Sequence, residues 1–405
     1  MLEMVDLGAL HRDMGEEIEE AVLRVIRRGR HVGGPEIAAF EEAFASFLGV
    51  RHAVAVANGT DALQIALLAS GVRREEEVLV PANTFIATAE AVVAIGAIPR
   101  FVDVDANSGL IDLDRAEERL TRHTAAIVPV HLYGRMVEMG TVMDFARRHG
   151  LLVIEDAAQA HGARRAQARA GTVGHVGCFS FYPGKNLGAL GDAGAAVTDD
   201  SQIAERIRLY RDHGRRGRDN HEIAGLNSRM DPIQAAALSV KLPHLERWTQ
   251  SRRRIAARYR SALGPLLDWH GGEPEAEVHH LFPILVPDRD GLARSLRAAG
   301  IASGVHYRHA LTRTVAFASS KDECPVAEER ARRQLSLPIH PYLSDDDACR
   351  IAHAVLAAGP QSASASAAGT STANQPGIAT TAIDAAVTSR RLHSAPPSPR
   401  DRTTG

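Results

Sequence analysis

The first fifty residues carry apolar and charged positions with the period of two amphipathic helices. Ile18, Val22 and Ile26 recur every four residues, which predicts an early helix with one buried face. Pro35 then opens a second stretch with an apolar side, and this stretch stops at Gly49. Proline and glycine prefer these two places at the start and end of a helix. The chain is therefore predicted to begin with two helices that pack one side against another element.

After residue 50 the pattern changes to short apolar runs that alternate with helical segments. This order predicts an α/β domain with a largely parallel sheet flanked by helices. The six runs cover residues 52–57, 78–80, 99–104, 125–130, 151–155 and 177–181. Because ligands bind beyond the carboxyl ends of the strands in such a sheet, candidate chemistry is expected just after these runs.

The length of 405 residues suggests more than one domain. Residues 1–245 are predicted to form a large domain that contains the two helices and the alternating pattern. Residues 246–358 are predicted to form a smaller α+β domain, with a strand at 280–286 and a helix at 290–299. Residues 359–405 are rich in Ser, Ala, Thr, Gly and Pro, a composition that buries too little apolar surface to offset ordering entropy. They are predicted to be a disordered tail without a catalytic role.

Composition narrows the class of protein. Apolar residues make up 45% of the chain and charged residues 24%, as in soluble globular proteins, and a net charge of −2 gives no reason to expect nucleic acid or an anionic membrane as partner. No apolar run reaches membrane-spanning length and no signal peptide is recognised. The three cysteines have neither metal nor disulfide spacing, and His306 and His309 lack a convergent carboxylate. A cytoplasmic location and no metal are expected.

Lys185 is the candidate for covalent chemistry. It follows an aromatic, strand-like run in the segment FSFYPGKN (179–186). A lysine among apolar groups can have its pKa lowered by desolvation, and a neutral amine attacks an aldehyde to form a Schiff base. The alternative is a surface lysine in a Pro-Gly turn.

Other candidates follow the remaining runs, and each has a structural alternative. Gly59 and Thr60 open a helix whose free N–H groups suit a phosphate, although simple N-capping by Asn58 or Thr60 explains the segment equally well. Phe85 could stack on a flat cofactor or belong to the core. Asp156 ends a buried run, with Gln159 one helical turn further on, and is either a ligand carboxylate or a helix cap.

Together these residues match the needs of pyridoxal phosphate (PLP). Gly59, Thr60 and Ser180 could cradle the phosphate, and Phe85 could cover the ring. Lys185 could bind the aldehyde while Asp156 keeps the pyridine nitrogen protonated. No metal or nucleotide site explains the same set as economically.

The same segments resemble the DegT/DnrJ/EryC1/StrS sugar aminotransferases. The motifs are NGTDAL (58–63), PANTFIATAEAV (81–92), PVHLYG (129–134), VIEDAAQAHGA (153–163), GCFSFYPGKNLGALGD (177–192), LNSRMDPIQAA (226–236) and LSLPIHP (335–341). The resemblance implies the PLP-dependent transferase fold type I (aspartate aminotransferase-like), with a mostly parallel seven-stranded sheet. It also implies that Lys185 is the aldimine lysine, Asp156 the pyridinium partner, Gln159 the neighbour of the ring hydroxyl, and Thr60 and Ser180 phosphate ligands. Asn227 is similar to a family asparagine that reaches the phosphate of the neighbouring subunit's cofactor, which implies a homodimer with shared sites.

The resemblance further implies transfer of an amino group from glutamate to a nucleotide-linked keto sugar. The sequence of residues 181–192 is most similar to that of the family branch that aminates C3 of dTDP-linked 3-keto-6-deoxyhexoses, in the biosynthesis of surface glycans or antibiotics. Tyr182, His306, Tyr307 and Arg308 are then the expected sugar contacts. Alternatives are another keto sugar, a cyclitol ketone, a dehydratase reaction, or a PLP-binding regulator or degenerate homologue. The last alternative stays open because Ala193 and Arg308 depart from the family pattern.

Overall fold

The computed structural model describes residues 1–264, 267 and 273–358. Its centre is a seven-stranded sheet in the order β1-β9-β8-β5-β4-β2-β3, in which β9 alone runs antiparallel to its neighbours. Two strands from the C-terminal third form a separate antiparallel pair, β12-β13, and two further pairs are hairpins of two-residue strands. The strands are β1 (His52–Val56), β2 (Glu77–Pro81), β3 (Ile98–Val102), β4 (Thr124–Ile127), β5 (Leu152–Asp156), β6 (Arg164–Arg165), β7 (Ala168–Arg169), β8 (Val176–Ser180), β9 (Gly194–Thr198), β10 (Arg215–Arg216), β11 (Asn220–His221), β12 (Phe282–Leu285) and β13 (Gln334–Leu337).

All six predicted runs are strands of this sheet, and the predicted α/β class with a mostly parallel sheet is confirmed. The run pattern did not contain the seventh strand, β9. This strand lies between β1 and β8, and its first residue, Gly194, pairs with both Val56 and Ser180. The insertion of β9 therefore brings the ends of β1 and β8 to opposite sides of one glycine.

Twelve α-helices surround the strands in the described part of the chain. They are α1 (Leu7–Arg28), α2 (Pro35–Leu48), α3 (Gly59–Ser70), α4 (Ala87–Ala94), α5 (Leu113–Glu117), α6 (Met139–His149), α7 (Ser201–Arg211), α8 (Pro232–Lys241), α9 (Leu245–Leu263), α10 (Arg289–Ala298), α11 (Pro325–Arg333) and α12 (Asp345–Ala358). The predicted N-terminal helices correspond to α1 and α2, and Gly49 ends α2 in the left-handed conformation, as expected. Pro232 occupies the first turn of α8, where a proline costs no hydrogen bond.

The core has two faces around the large sheet and a third part near the C-terminus. One face holds Phe40, Phe44, Phe179 and Phe181, with the Phe44 ring 5.1 Å from that of Phe179. The opposite face is built mainly from α3, α4 and α7. The third cluster joins α9, α10 and α12 to β12 and β13. The division into domains at residue 245 stays a prediction, and the predicted tail at 359–405 lies outside the described residues.

Candidate active site

A cleft of about 510 Å³ opens beyond the carboxyl ends of β1, β2, β5 and β8. Because these parallel strands of one sheet end on the same side, side chains from distant parts of the sequence converge on one space. The first five residues of the chain also contribute, through Met4 and Val5. Ten residues that were predicted to form the site line the cleft, namely Gly59, Thr60, Phe85, Asp156, Gln159, Ser180, Tyr182, Lys185, His306 and Tyr307.

Lys185 sits in a turn directly after β8, and its backbone N–H donates to the carbonyl of Tyr182 at 2.8 Å. The side chain keeps some exposure to the cleft. Burial lowers the pKa of Lys185 to about 8, and the carboxylate of Asp156 opposes this shift. A sizeable fraction of the amine is therefore neutral near physiological pH, which is the form that reacts as a nucleophile or accepts a proton.

Asp156 ends β5 and is buried at the base of the cleft. Its Oδ2 accepts a hydrogen bond of 2.8 Å from the Thr88 hydroxyl, and its Oδ1 accepts one of 3.2 Å from the backbone N–H of Ala158. Burial raises the pKa of Asp156, although these donors and the nearby Lys185 act in the opposite direction. A carboxylate in this position gains most from a cation brought against it, as a protonated pyridine nitrogen would be. The alternative of a helix cap is not what the structure shows, since no α-helix begins here.

The N-terminus of α3 meets the end of β8 closely enough to require glycine. A Cβ on Gly59 would lie 2.6 Å from the Cβ of Ser180, so no side chain fits between the two segments. Asn58 caps the helix by accepting the N–H of Asp61 at 2.8 Å. Thr60 and the Ser180 hydroxyl both face the cleft beside this positive helix end. Capping by Asn58 therefore leaves Thr60 and Ser180 available to a phosphate, so the two interpretations do not exclude each other.

Gln159 is held in one orientation by two hydrogen bonds. Its Oε1 accepts the backbone N–H of Tyr133 at 2.7 Å, and its Nε2 donates to the Tyr307 hydroxyl at 3.0 Å. Tyr133 itself is fully buried and adopts φ +63°, a left-handed conformation that is unfavourable for an aromatic residue. The Phe85 ring lies 5.7 Å from that of Tyr307 and is half exposed at the cleft mouth. Phe85 therefore does not belong to the packed core.

Two predicted residues do not line the cleft. Asn227 is exposed on a segment that pairs with Asp212. Arg308 follows two cleft residues but points to a separate groove, where its guanidinium lies 3.9 Å from Asp290. Its predicted contact with the sugar is not supported by this position. Ala193, the other departure from the family pattern, is buried without a positive φ and is compatible with its site.

Sequence reasoning missed several residues that support the site. Thr88, at the first turn of α4, holds Asp156, and Tyr133 orients Gln159. Glu155 is fully buried on the other side of β5 and accepts hydrogen bonds from His131 and from three backbone N–H groups of residues 171–174. The adjacent acids of 155–156 were visible in the sequence, and the family resemblance pointed to the second one, but the local pattern did not indicate that Glu155 is buried away from the cleft.

The donor set fits PLP. The N-terminus of α3 and the hydroxyls of Thr60 and Ser180 suit a phosphate, and the buried acid Asp156 suits a ring nitrogen. The Gln159 amide suits a ring hydroxyl, and the Lys185 amine has a lowered pKa. Within residues 1–264, 267 and 273–358 no group of three or more His, Cys, Asp or Glu side chains could hold a metal ion. No described helix is both long and apolar enough to span a bilayer.

Known proteins match over almost the whole described chain. The model of the DegT/DnrJ/EryC1/StrS aminotransferase family matches residues 12–356. A dTDP-3-amino-3,4,6-trideoxy-alpha-D-glucose transaminase from Streptomyces venezuelae is 42% identical over 357 residues, which cover 87% of this chain and 94% of the relative. The crystal structure of S. venezuelae DesV in complex with a ketimine intermediate has a TM-score of 0.84 and 41% identity, and covers 87% of this chain and 97% of its own.

A second solved structure bears on the cofactor. NtdA from Bacillus subtilis, solved with bound cofactor PMP, has a TM-score of 0.80 and 32% identity, and covers 86% of this chain and 82% of its own. The predicted fold type, the enzyme class and PLP dependence are confirmed by these similarities. With a family model that spans most of the sequence and relatives above 40% identity, the chain belongs to the DegT/DnrJ/EryC1/StrS aminotransferase family.

Proposed function

We propose that the protein transfers an amino group from glutamate to a nucleotide-linked keto sugar, with a dTDP-linked 3-keto-6-deoxyhexose as the substrate, in amino-sugar biosynthesis. The observation that carries this proposal is the convergence of the Lys185 amine and the buried Asp156 carboxylate on one cleft of about 510 Å³. A relative 42% identical carries the name of a dTDP-amino-sugar transaminase, which supports the substrate class.

In this proposal each cleft residue has one task. PLP, when bound, withdraws electrons from the carbon that loses a proton. Asp156 would hold the positive charge of the ring nitrogen, Gln159 would contact the ring hydroxyl, and Phe85 would cover the ring. Gly59, Thr60 and Ser180 would bind the phosphate at the positive end of α3.

Lys185 would hold the cofactor at rest and move a proton during the reaction. Because its pKa is about 8, the neutral amine would be available to take the proton from the α-carbon of glutamate and to deliver it to the carbon atom of the cofactor that had carried the aldehyde. The same amine acts in reverse on the sugar, so a single residue serves both half-reactions. Tyr182, His306 and Tyr307, which share the cleft, are the proposed sugar contacts.

The enzyme is further proposed to act as a cytoplasmic homodimer with shared sites. Three large apolar side chains, Phe85, Tyr182 and Leu190, are about half exposed, and the first two stand at the cleft. A second copy packed there would cover them. Asn227, exposed and outside its own cleft, is then free to reach the phosphate site of the other copy.

The test is product analysis. Purified protein with PLP is incubated with ¹⁵N-glutamate and a panel of 3-keto and 4-keto sugars linked to dTDP or UDP, together with a free cyclitol ketone. We expect ¹⁵N to appear at C3 of a dTDP-6-deoxyhexose by mass spectrometry and NMR. If ¹⁵N appears in a different sugar, that sugar replaces the proposed substrate. Formation of 2-oxoglutarate without any labelled sugar product would contradict the proposal.

A further inference from the structure

A second lysine stands behind the turn that carries Lys185. The full sequence contains 47 Lys and Arg residues, of which only Lys185, Lys241 and Lys321 are lysines. Lys321 is exposed, whereas Lys241, the last residue of α8, is 2% exposed. In a chain that uses arginine almost everywhere, a buried lysine suggests that this position needs a primary amine.

The Lys241 amine points toward the turn of residues 183–188, which carries Lys185. Its Nζ donates a hydrogen bond of 2.7 Å to the carbonyl of Gly188, three residues after Lys185. Gly188 is itself packed so tightly that a Cβ there would lie 2.3 Å from the carbonyl oxygen of Pro183, two residues before Lys185. Holding the Gly188 carbonyl therefore fixes both arms of the turn.

Helix α8 holds the same segment at a second point, and another element holds its middle. Gln234 of α8 accepts the backbone N–H of Leu190 at 2.8 Å, and the Asn186 amide donates to the carbonyl of Val278 at 2.9 Å. The Lys185 side chain has to move during turnover while its backbone stays in place. Contacts at residues 186, 188 and 190 provide such a fixed base.

The chemistry of the position explains why an arginine would not serve. Among the residues that the structure describes, Lys241 forms no ion pair, and Gly188 supplies its hydrogen-bond acceptor. Burial lowers the pKa of Lys241 to about 8, so the amine can lose its proton and bind one acceptor without an uncompensated charge. A guanidinium stays charged and would leave several N–H groups unpaired.

We infer that Lys241 is a positioning residue that fixes the turn of Lys185 and so sets the placement of the catalytic amine. This inference rests on the proposed role of Lys185. Lys241 does not line the substrate cleft, but both lysines border a small cavity of about 30 Å³ behind the turn. That volume suits about one water molecule, which could occupy the space next to a shorter side chain.

The test compares Lys241→Met with Lys241→Gln, which have equal chain length but differ in the ability to donate a hydrogen bond. For Lys241→Met we expect kcat to fall about 10- to 100-fold, because a small misplacement of a catalytic group has effects of this size. The KM values for glutamate and the keto sugar should stay within about twofold, since the cleft walls are untouched. Lys241→Gln should recover most of kcat, and Lys321→Met should behave as the wild type.

A second readout does not depend on turnover. With so few lysines, pH-dependent acetylation of the apoprotein followed by mass spectrometry gives the pKa of each amine. In Lys241→Met, the pKa of Lys185 should rise above its value of about 8, because a loosened turn lets water reach the amine. This measurement needs neither sugar nor glutamate, so it separates a failure of this inference from a failure of the proposed reaction.

The inference is overturned if Lys241→Met leaves both kcat and the pKa of Lys185 unchanged, or if Lys241→Gln is as impaired as Lys241→Met. Should the Met variant not fold, the Gln variant decides alone. A kcat within about threefold of wild type and an unchanged pKa of Lys185 then support the donor role, and a larger change in either contradicts it.

Discussion

Two ionisable side chains of the cleft have pKa values displaced in opposite directions, and burial is the main cause of both. It raises the pKa of Asp156 and lowers that of Lys185 to about 8, because burial disfavours the charged form of each group. The apoprotein therefore keeps an acid and an amine that are both poorly solvated. A ligand that brings a cation to the acid and an aldehyde to the amine satisfies both residues together.

Lys185→Ala should lower turnover of glutamate at least about 10³-fold, because no other described lysine lines the cleft to replace it. Steady-state kinetics with circular dichroism as a check on folding would measure this. Lys321→Ala, which removes an exposed lysine, is the matched control. Retained turnover in the Lys185 variant would remove the proposed mechanism.

The second prediction concerns the acid and its pH dependence. The raised pKa of Asp156 means that the folded apoprotein binds more protons than the unfolded chain between the ordinary pKa near 3.8 and the raised value. Stability conferred by the protonated form is therefore lost as pH rises through this window and stays lost above it. Asp156→Asn should stabilise the apoprotein by about 1 kcal/mol at pH 7 and have little effect below pH ~3.8, while turnover falls.

Urea unfolding of wild type and variant across pH would show this difference. Asp192→Asn is the control, since Asp192 borders the same cleft but is exposed. Equal stability of the wild type and Asp156→Asn at all pH values would mean that the carboxylate is already well compensated without cofactor.

At the scale of elements, the contact between α3 and β8 shapes the proposed phosphate site. Gly59→Ala should displace the helix N-terminus from Ser180, because the new Cβ would lie 2.6 Å from the Ser180 side chain. We expect a loss of about 1–3 kcal/mol in unfolding free energy and weaker retention of PLP on dialysis. Gly140→Ala in α6 is a suitable control, since its nearest neighbouring atom would be 3.6 Å away. Unchanged PLP retention in the Gly59 variant would argue against this site.

The elements themselves were largely predictable. Runs of apolar residues identified six strands of the large sheet, because strands buried on both faces have few polar positions. β9 was not predicted because its sequence GAAVT consists mostly of small residues, and its antiparallel direction follows from pairing with β1 and β8 rather than from a local pattern. Strand order depends on contacts between distant residues and could not be read from any one segment.

The part of the site that lies at strand ends was predictable from the sequence. Asp156 and Ser180 are the last residues of β5 and β8, and Lys185 lies in the turn after β8, so their convergence follows from the parallel pairing of these two strands. The hydrogen bond of Thr88 to Asp156 and the left-handed backbone of Tyr133 depend on tertiary packing. Arg308 borders a separate groove beside Asp290, whereas the preceding residues His306 and Tyr307 line the cleft, and the local sequence does not indicate this difference.

For the whole molecule, the first prediction concerns the C-terminal segment. The composition of residues 359–405 gives no basis for a packed core or a catalytic group. A chain that ends at residue 358 should keep kcat and KM within about twofold and unfold with the same midpoint. Deletion from residue 345 onward, which also removes α12 from the C-terminal core, is the contrasting variant and should not fold. A large loss of activity in the shorter deletion would assign the tail a role.

The second prediction at this scale tests the shared site. Lys185→Ala and Asn227→Asp should each be inactive, the second because an added negative charge would face the phosphate. Coexpression should restore about a quarter of wild-type activity, because each mixed dimer of a symmetric pair then contains one intact site. Mixing the purified variants without subunit exchange serves as the control. Absence of restored activity in isolated mixed dimers would show that each site is complete within one chain.

One wall of the cleft is formed in part by the first five residues of the sequence. Leu2 exchanges two backbone hydrogen bonds of 2.8 Å with Gly300 and Ala302, and the next residues place Met4 and Val5 in the cleft, while α1 begins only at Leu7. Removal of residues 1–5 would thus take away part of the cleft wall and leave the sheet in place. Exchanging this pentapeptide between homologues is accordingly a compact way to vary the shape of the cleft.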